Sequence, residues 1–104
     1  MGRRLAGNVL VLVWPRCDLT HPARIVLLRM AWQAHDSDDQ PVYFGGWERL
    51  AESLGYGLEP KAGTAAQRAV TRALAELTAQ GFVATDKTKP RHHKRRYELR
   101  IPGP

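Results

Sequence analysis

The sequence predicts an α+β fold of three helices with a small β-sheet and a basic β-hairpin, on the strength of three observations. Apolar residues recur at helical spacing in three stretches, each marked by a start or stop signal. After the last of them, Tyr97, Leu99 and Ile101 alternate with Glu98 and Arg100, the period of a half-buried strand. Between Phe82-Val83 and that strand runs the basic tract KTKPRHHKRR, which reads as the tip of a hairpin.

In chain order, residues 1–18 are expected to be an N-terminal arm and a short strand, and residues 19–104 the main domain. Met1 to Gly7 reads as a mobile basic arm. NVLVLVW, residues 8–14, is dense in valine and leucine and reads first as a short buried strand, with a helical turn as the alternative. As a strand outside the main sheet it could pair with a second copy, so a homodimer contact is expected there. Asp18-Leu19-Thr20-His21-Pro22 is a helix start: Thr20 or Asp18 can cap, and proline is tolerated in the first turn. Helix one then spans about Pro22 to Ala34, with Ile25, Leu28, Ala31 and Trp32 as its inner stripe, Leu27 and Ala34 beside it, and Trp32 as a core plug.

HDSDDQP is a polar loop, Val42-Tyr43-Phe44 a short strand, and Gly45-Gly46 a turn. Helix two is Trp47 to Leu54, with Leu50, Ala51 and Leu54 inward, and Gly55 ends it. Helix three runs from Thr64 to Gly81. Thr64 is the expected N-cap, Gln67 stands at capping-box spacing, and Gly81 supplies the left-handed closing residue. Its inner stripe is Ala66, Val70, Ala73, Leu74 and Leu77; Arg68, Thr71, Arg72 and Ala75 fall outside. Strands at Phe82–Thr85 and Arg96–Ile101 then flank the basic tip.

At 104 residues the chain is long enough for one domain with its own core. Its formal charge of +6 suggests a polyanionic partner. The distribution says more: residues 35–59 carry six acids against Arg49 alone, whereas ten bases face three acids from Pro60 onward. Segregation of this kind is harder to explain as general solubility. Cys17 is the single cysteine, so an intrachain disulfide is excluded. No apolar run is long enough to span a membrane. The N-terminal apolar run is short and lacks a small-residue cleavage site, so a cytoplasmic protein, nucleoid-associated when bound to DNA, is expected.

The segments LTHPARIVLLRMAWQAHD, YFGGWERLAESLG and AVTRALAELTAQGFV together resemble winged helix-turn-helix domains. The likeness is to those of bacterial plasmid and phage replication initiators and small transcriptional regulators. It covers roughly Leu19 to Ile101. The pairs Leu50-Ala51…Leu54-Gly55 and Leu74…Leu77…Gly81-Phe82 carry it most specifically. It implies a recognition helix leading into a wing that contacts DNA. One departure is the turn GYGLEPKAG, longer than the roughly three or four residues usual between the paired helices.

For double-stranded DNA, helix three would lie in the major groove. Arg68 or Arg72 could bond two acceptors of a guanine edge, Gln67 could read adenine, and Thr71 could touch a thymine methyl or a phosphate. Lys61 and Thr64 complete the set near the helix start. Lys87, Lys89, Arg91, Lys94, Arg95 and Arg96 suit phosphates or a minor groove, with His92 and His93 adding contact when protonated. Without DNA, Arg68 and Arg72 would be a solvated face, with Glu76 as a pairing partner. Cys17, His21, His92 and His93 lack the spacing of a zinc site. Asp36, Asp38 and Asp39 lack the downstream ligands of a calcium loop. No nucleophile–base set and no phosphate-binding glycine loop stands out, so neither catalysis, a cofactor nor a small-molecule substrate is expected. The expectation is a non-enzymatic regulator of transcription, or a plasmid or phage replication-control factor. The alternatives are a winged-helix protein–protein interaction module and a non-specific DNA-binding accessory subunit.

Overall fold

The computed structural model describes residues 3–15, 18–34, 41–43, 47–56, 63–86 and 96–101. Among them the chain is α+β, with helices α1 (Arg3–Asn8), α2 (His21–Gln33), α3 (Trp47–Ser53) and α4 (Gly63–Ala79). The strands are β1 (Val42–Tyr43), β2 (Val83–Asp86) and β3 (Arg96–Leu99). The radius of gyration, 13.1 Å, is that of a folded domain of this length, about 13 Å for 100 residues.

The N-terminus corrects two expectations. Residues 3–8 form α1 rather than an arm, and Val9–Val13 continue it as a π-helical turn rather than a strand. The Trp14 N–H donates to the Val9 carbonyl at 2.8 Å, the i to i−5 bond of a π turn. Burial explains why the helix wins. A strand would place Val9, Val11 and Val13 on one face. A helix puts Val9 and Val13 together, and both are buried in the common core while Val11 is 67% exposed. Leu5 and Ala6 extend the same stripe toward the N-terminus, Ala6 buried and Leu5 packed against the core. The edge-strand basis for a homodimer contact is absent with the strand.

Helix α2 begins where expected. The Thr20 hydroxyl accepts from the Ala23 N–H at 3.5 Å, and Pro22 sits in the first turn. Its inner face differs. Ala23, Val26, Leu27, Met30, Ala31 and Ala34 are buried, Ile25 and Leu28 are half-buried, and Trp32 is 38% exposed. Trp32 is therefore no core plug. The helix is apolar around most of its circumference, so periodicity alone admits more than one inner stripe. The choice falls to what packs on it: α1, α3 and α4 all do. The Arg24 guanidinium lies 5.8 Å from the Trp14 ring centroid, a cation–π contact joining the end of the π turn to α2.

Helices α3 and α4 both end on a left-handed glycine. Gly55 has φ +92 and Gly81 φ +84. The Tyr56 N–H donates to Ala51 and the Gly55 N–H to Glu52; the Phe82 N–H donates to Leu77 and the Gly81 N–H to Thr78. Each pair is a Schellman closure, which satisfies carbonyls the helix itself leaves free. Helix α4 starts at Gly63, one residue before the expected N-cap, so Thr64 lies within its first turn. The register of a helix start is set by which backbone N–H groups find outside partners, and composition does not fix that.

The sheet is antiparallel in the order β1-β3-β2. Strand β3 pairs Tyr97 with Tyr43 on one side and with Thr85 on the other. Strand β2 begins one residue later than expected, and the Arg100 N–H still donates to Phe82 at 2.8 Å beyond the ladder. Leu99 and Val83 are buried, Tyr97 and Ile101 pack against the core and Arg100 is exposed, as the alternation predicts, while Glu98 is half-buried like Tyr97. Tyr43, Leu50, Leu77 and Leu99 meet Val9, Val13 and the inner face of α2 in one cluster. Burial pushes the Tyr43 hydroxyl up to about 12, partly offset by the nearby Arg29 and Arg49 charges.

Candidate nucleic-acid interface

Helix α4 is held on its inner side and open on its outer one. Ala66, Val70, Ala73 and Leu77 are buried, and Leu74 packs at the margin. Full burial of a Val or Leu side chain stabilises by roughly 1.5–3 kcal/mol, so the face of α4 that points inward is firmly chosen. The opposite face is then fixed by the helical period. Arg68, Thr71, Arg72 and Ala75 are exposed, as the sequence predicts, and so are Ala65 and Gln67.

Gln67, Arg68, Thr71 and Arg72 line one shallow depression on that face. Four of the expected DNA-contacting residues are thus brought together on a single helix surface. The Thr71 hydroxyl donates to the Gln67 carbonyl at 2.8 Å, one turn back. Its proton is committed, so Thr71 presents its methyl and an acceptor oxygen outward. Of the two roles expected for Thr71, contact with a thymine methyl fits this arrangement better than donation to a phosphate. The small side chains of Ala65 and Ala75 leave the helix surface low to either side.

Glu76 is not the partner of Arg72. Its carboxylate accepts from the Thr20 N–H at 2.8 Å and from the Thr20 hydroxyl at 3.1 Å. Glu76 therefore caps the N-terminus of α2 from a different helix, where a negative charge is also favoured by the helix dipole. Among the described residues no carboxylate pairs with Arg68 or Arg72. Sequence reading missed the Glu76–Thr20 link. The cap at Thr20 was visible, but its carboxylate partner lies 56 residues along the chain.

The remaining expected contacts divide as follows. Thr64 lies in the first turn of α4 and Arg96 opens β3. Lys61, Lys87, Lys89, Arg91, His92, His93, Lys94 and Arg95 lie outside the described residues. Strands β2 and β3, which flank the basic tract, are paired from Asp86–Arg96 to Val83–Leu99. The Phe82 N–H bond to Leu77 ties this hairpin directly to the end of α4. Of the metal-ligand types weighed, His21 is exposed on the first turn of α2, while Cys17, His92 and His93 lie outside the described residues. Among the described residues, no group of three or more His, Cys, Asp or Glu could hold a metal ion, and no helix is long and apolar enough to cross a membrane.

No protein-family model, curated protein or solved structure matches this chain.

Proposed function

We propose that this chain is a winged helix-turn-helix protein that binds double-stranded DNA sequence-specifically, in transcriptional or plasmid or phage replication control. The observation that carries the reading is the outer face of α4. It presents Arg68 and Arg72 one turn apart beside Gln67 and Thr71, with no carboxylate neutralising either cation among the described residues. A guanidinium left unpaired on a rigid helix is free to bond a guanine edge bidentately. The element order from α2 to β3 and the sheet order β1-β3-β2 support the winged-helix reading. In that reading α4 enters the major groove and the β2–β3 hairpin carries its basic tract to the backbone. The chain acts without catalysis, through phosphate contacts for affinity and base contacts for specificity.

The test is selection of bound duplexes from a random DNA pool, followed by affinity against salt. A recovered motif whose affinity is lost with Arg72→Ala supports the proposal. Tight, salt-sensitive binding without a motif would reassign the chain to non-specific DNA binding. No retention on DNA at low salt would reassign it to a protein-interaction module.

A further inference from the structure

Leu10, Val11 and Trp32 are the exposed large hydrophobic residues among those described, at 51%, 67% and 38% exposure. Leu10 and Trp32 line a groove between α1 and α2, of about 490 Å³, whose floor includes Ala6 and Leu28. Arg3 and Arg29 stand in its lining, and among the described residues no carboxylate does. Arg29 is held in place, its Nε donating to the Gln33 Oε1 at 3.2 Å. The π turn keeps Val9 and Val13 in the core while Leu10 and Val11 face out. Single π turns recur at functional sites.

We infer that this groove docks an amphipathic helix of a partner protein, with apolar anchors flanked by acidic residues. Two observations select that occupant. The first is charge: cations line the groove and the whole chain is +6, so an acidic flank is attracted. A second copy packed isologously would bring Arg3 and Arg29 against an equally basic surface. The second is shape. A shallow hollow flanked by two helices accepts the projecting side chains of a third, the helix-in-groove mode. The tryptophan at the edge of the groove is the residue type most enriched at binding hot spots.

The test is selection with the full chain from a library of helical peptides randomised in charge and apolar spacing. The expected winners carry leucine-like anchors at i, i+3, i+4 and i+7 with glutamate or aspartate alongside. In amide and indole NMR spectra the winning peptide should shift Gly7, Leu10 and the Trp32 indole. Its affinity should fall at least tenfold with Arg29→Glu and with Leu10→Ser. Both positions are outside the core, and circular dichroism checks that each variant is folded. Arg72→Ala should leave peptide binding unchanged, and Leu10→Ser should leave DNA binding unchanged, so the two sites fail independently. Four results would overturn the inference: no enrichment, winners that are basic or uncharged, shifts away from the groove, or groove signals that move with protein concentration alone. Binding of phosphatidylglycerol vesicles lost with Leu10→Ser, without peptide selection, would assign the groove to a membrane surface instead.

Discussion

Arg72 and Glu76 sit one turn apart on α4 and do different jobs. A surface pair at this spacing contributes only about 0.3–0.5 kcal/mol, and the Glu76 carboxylate has a better option at the α2 N-terminus. There it accepts from a backbone N–H and from the proton of a hydroxyl whose oxygen already caps the Ala23 N–H. Losing a cap of this kind costs about 0.5–2 kcal/mol. Glu76→Ala should therefore lower stability to urea by on the order of 1 kcal/mol, and a double-mutant cycle with Thr20→Ala should show coupling. Additive losses would mean the two residues do not act together. Arg72→Ala should behave oppositely. Stability should stay within about 0.5 kcal/mol, as for other surface substitutions. Binding to the selected DNA site should weaken by about 1–3 kcal/mol, with one base position relaxed. Unchanged binding to both the selected site and its single-base variants would remove Arg72 from base reading.

At the scale of elements, the helical N-terminus makes the sharpest prediction. Val11 is exposed and Val13 is buried, although they are two residues apart and chemically identical. Val13→Asp should cost several kcal/mol, because it places a carboxylate in an apolar core. Val11→Asp should cost almost nothing. Thermal denaturation of the two variants compares helix with strand directly, since a buried strand would penalise both. The glycine closures offer a second check. Gly81 has φ +84, and nothing lies within 4 Å of where a Cβ would be built. Gly81→Ala should therefore destabilise only through backbone strain, about 1–2 kcal/mol. A larger loss would point to a contact that the backbone geometry does not contain.

For the whole molecule, Tyr43 is among the largest fully buried side chains of the core cluster. Its hydroxyl, raised to about 12 by burial, holds its proton longer folded than unfolded. The sign follows from linkage. Stability from the neutral hydroxyl is complete below the ordinary tyrosine value near pH 10 and is lost as pH rises toward 12. Relative to Tyr43→Phe, the native chain should lose on the order of 2 kcal/mol across that window, read by denaturant titration at fixed pH. Parallel alkaline loss in both proteins would show that Tyr43 does not titrate differently on folding.

The sequence by itself determined the α+β class, the amphipathic α4, both glycine closures, and the outward face carrying Gln67, Arg68, Thr71 and Arg72. Each is a local property. Helical period fixes which residues share a face, and glycine alone adopts the left-handed backbone cheaply. It misread residues 9–13 and the inner face of α2 for one reason: both are largely apolar, whereas RRLAGN before them reads as a basic arm because only Leu5 and Ala6 offer it anything to bury. Where many faces are greasy, hydrophobicity does not say which one is buried. Only the tertiary structure decided that, by packing α1, α3 and α4 around α2 and leaving Leu10, Val11 and Trp32 outside. It also decided the partner of Glu76, because a carboxylate bonds to whatever donor the fold brings near, and Thr20 is local only in space.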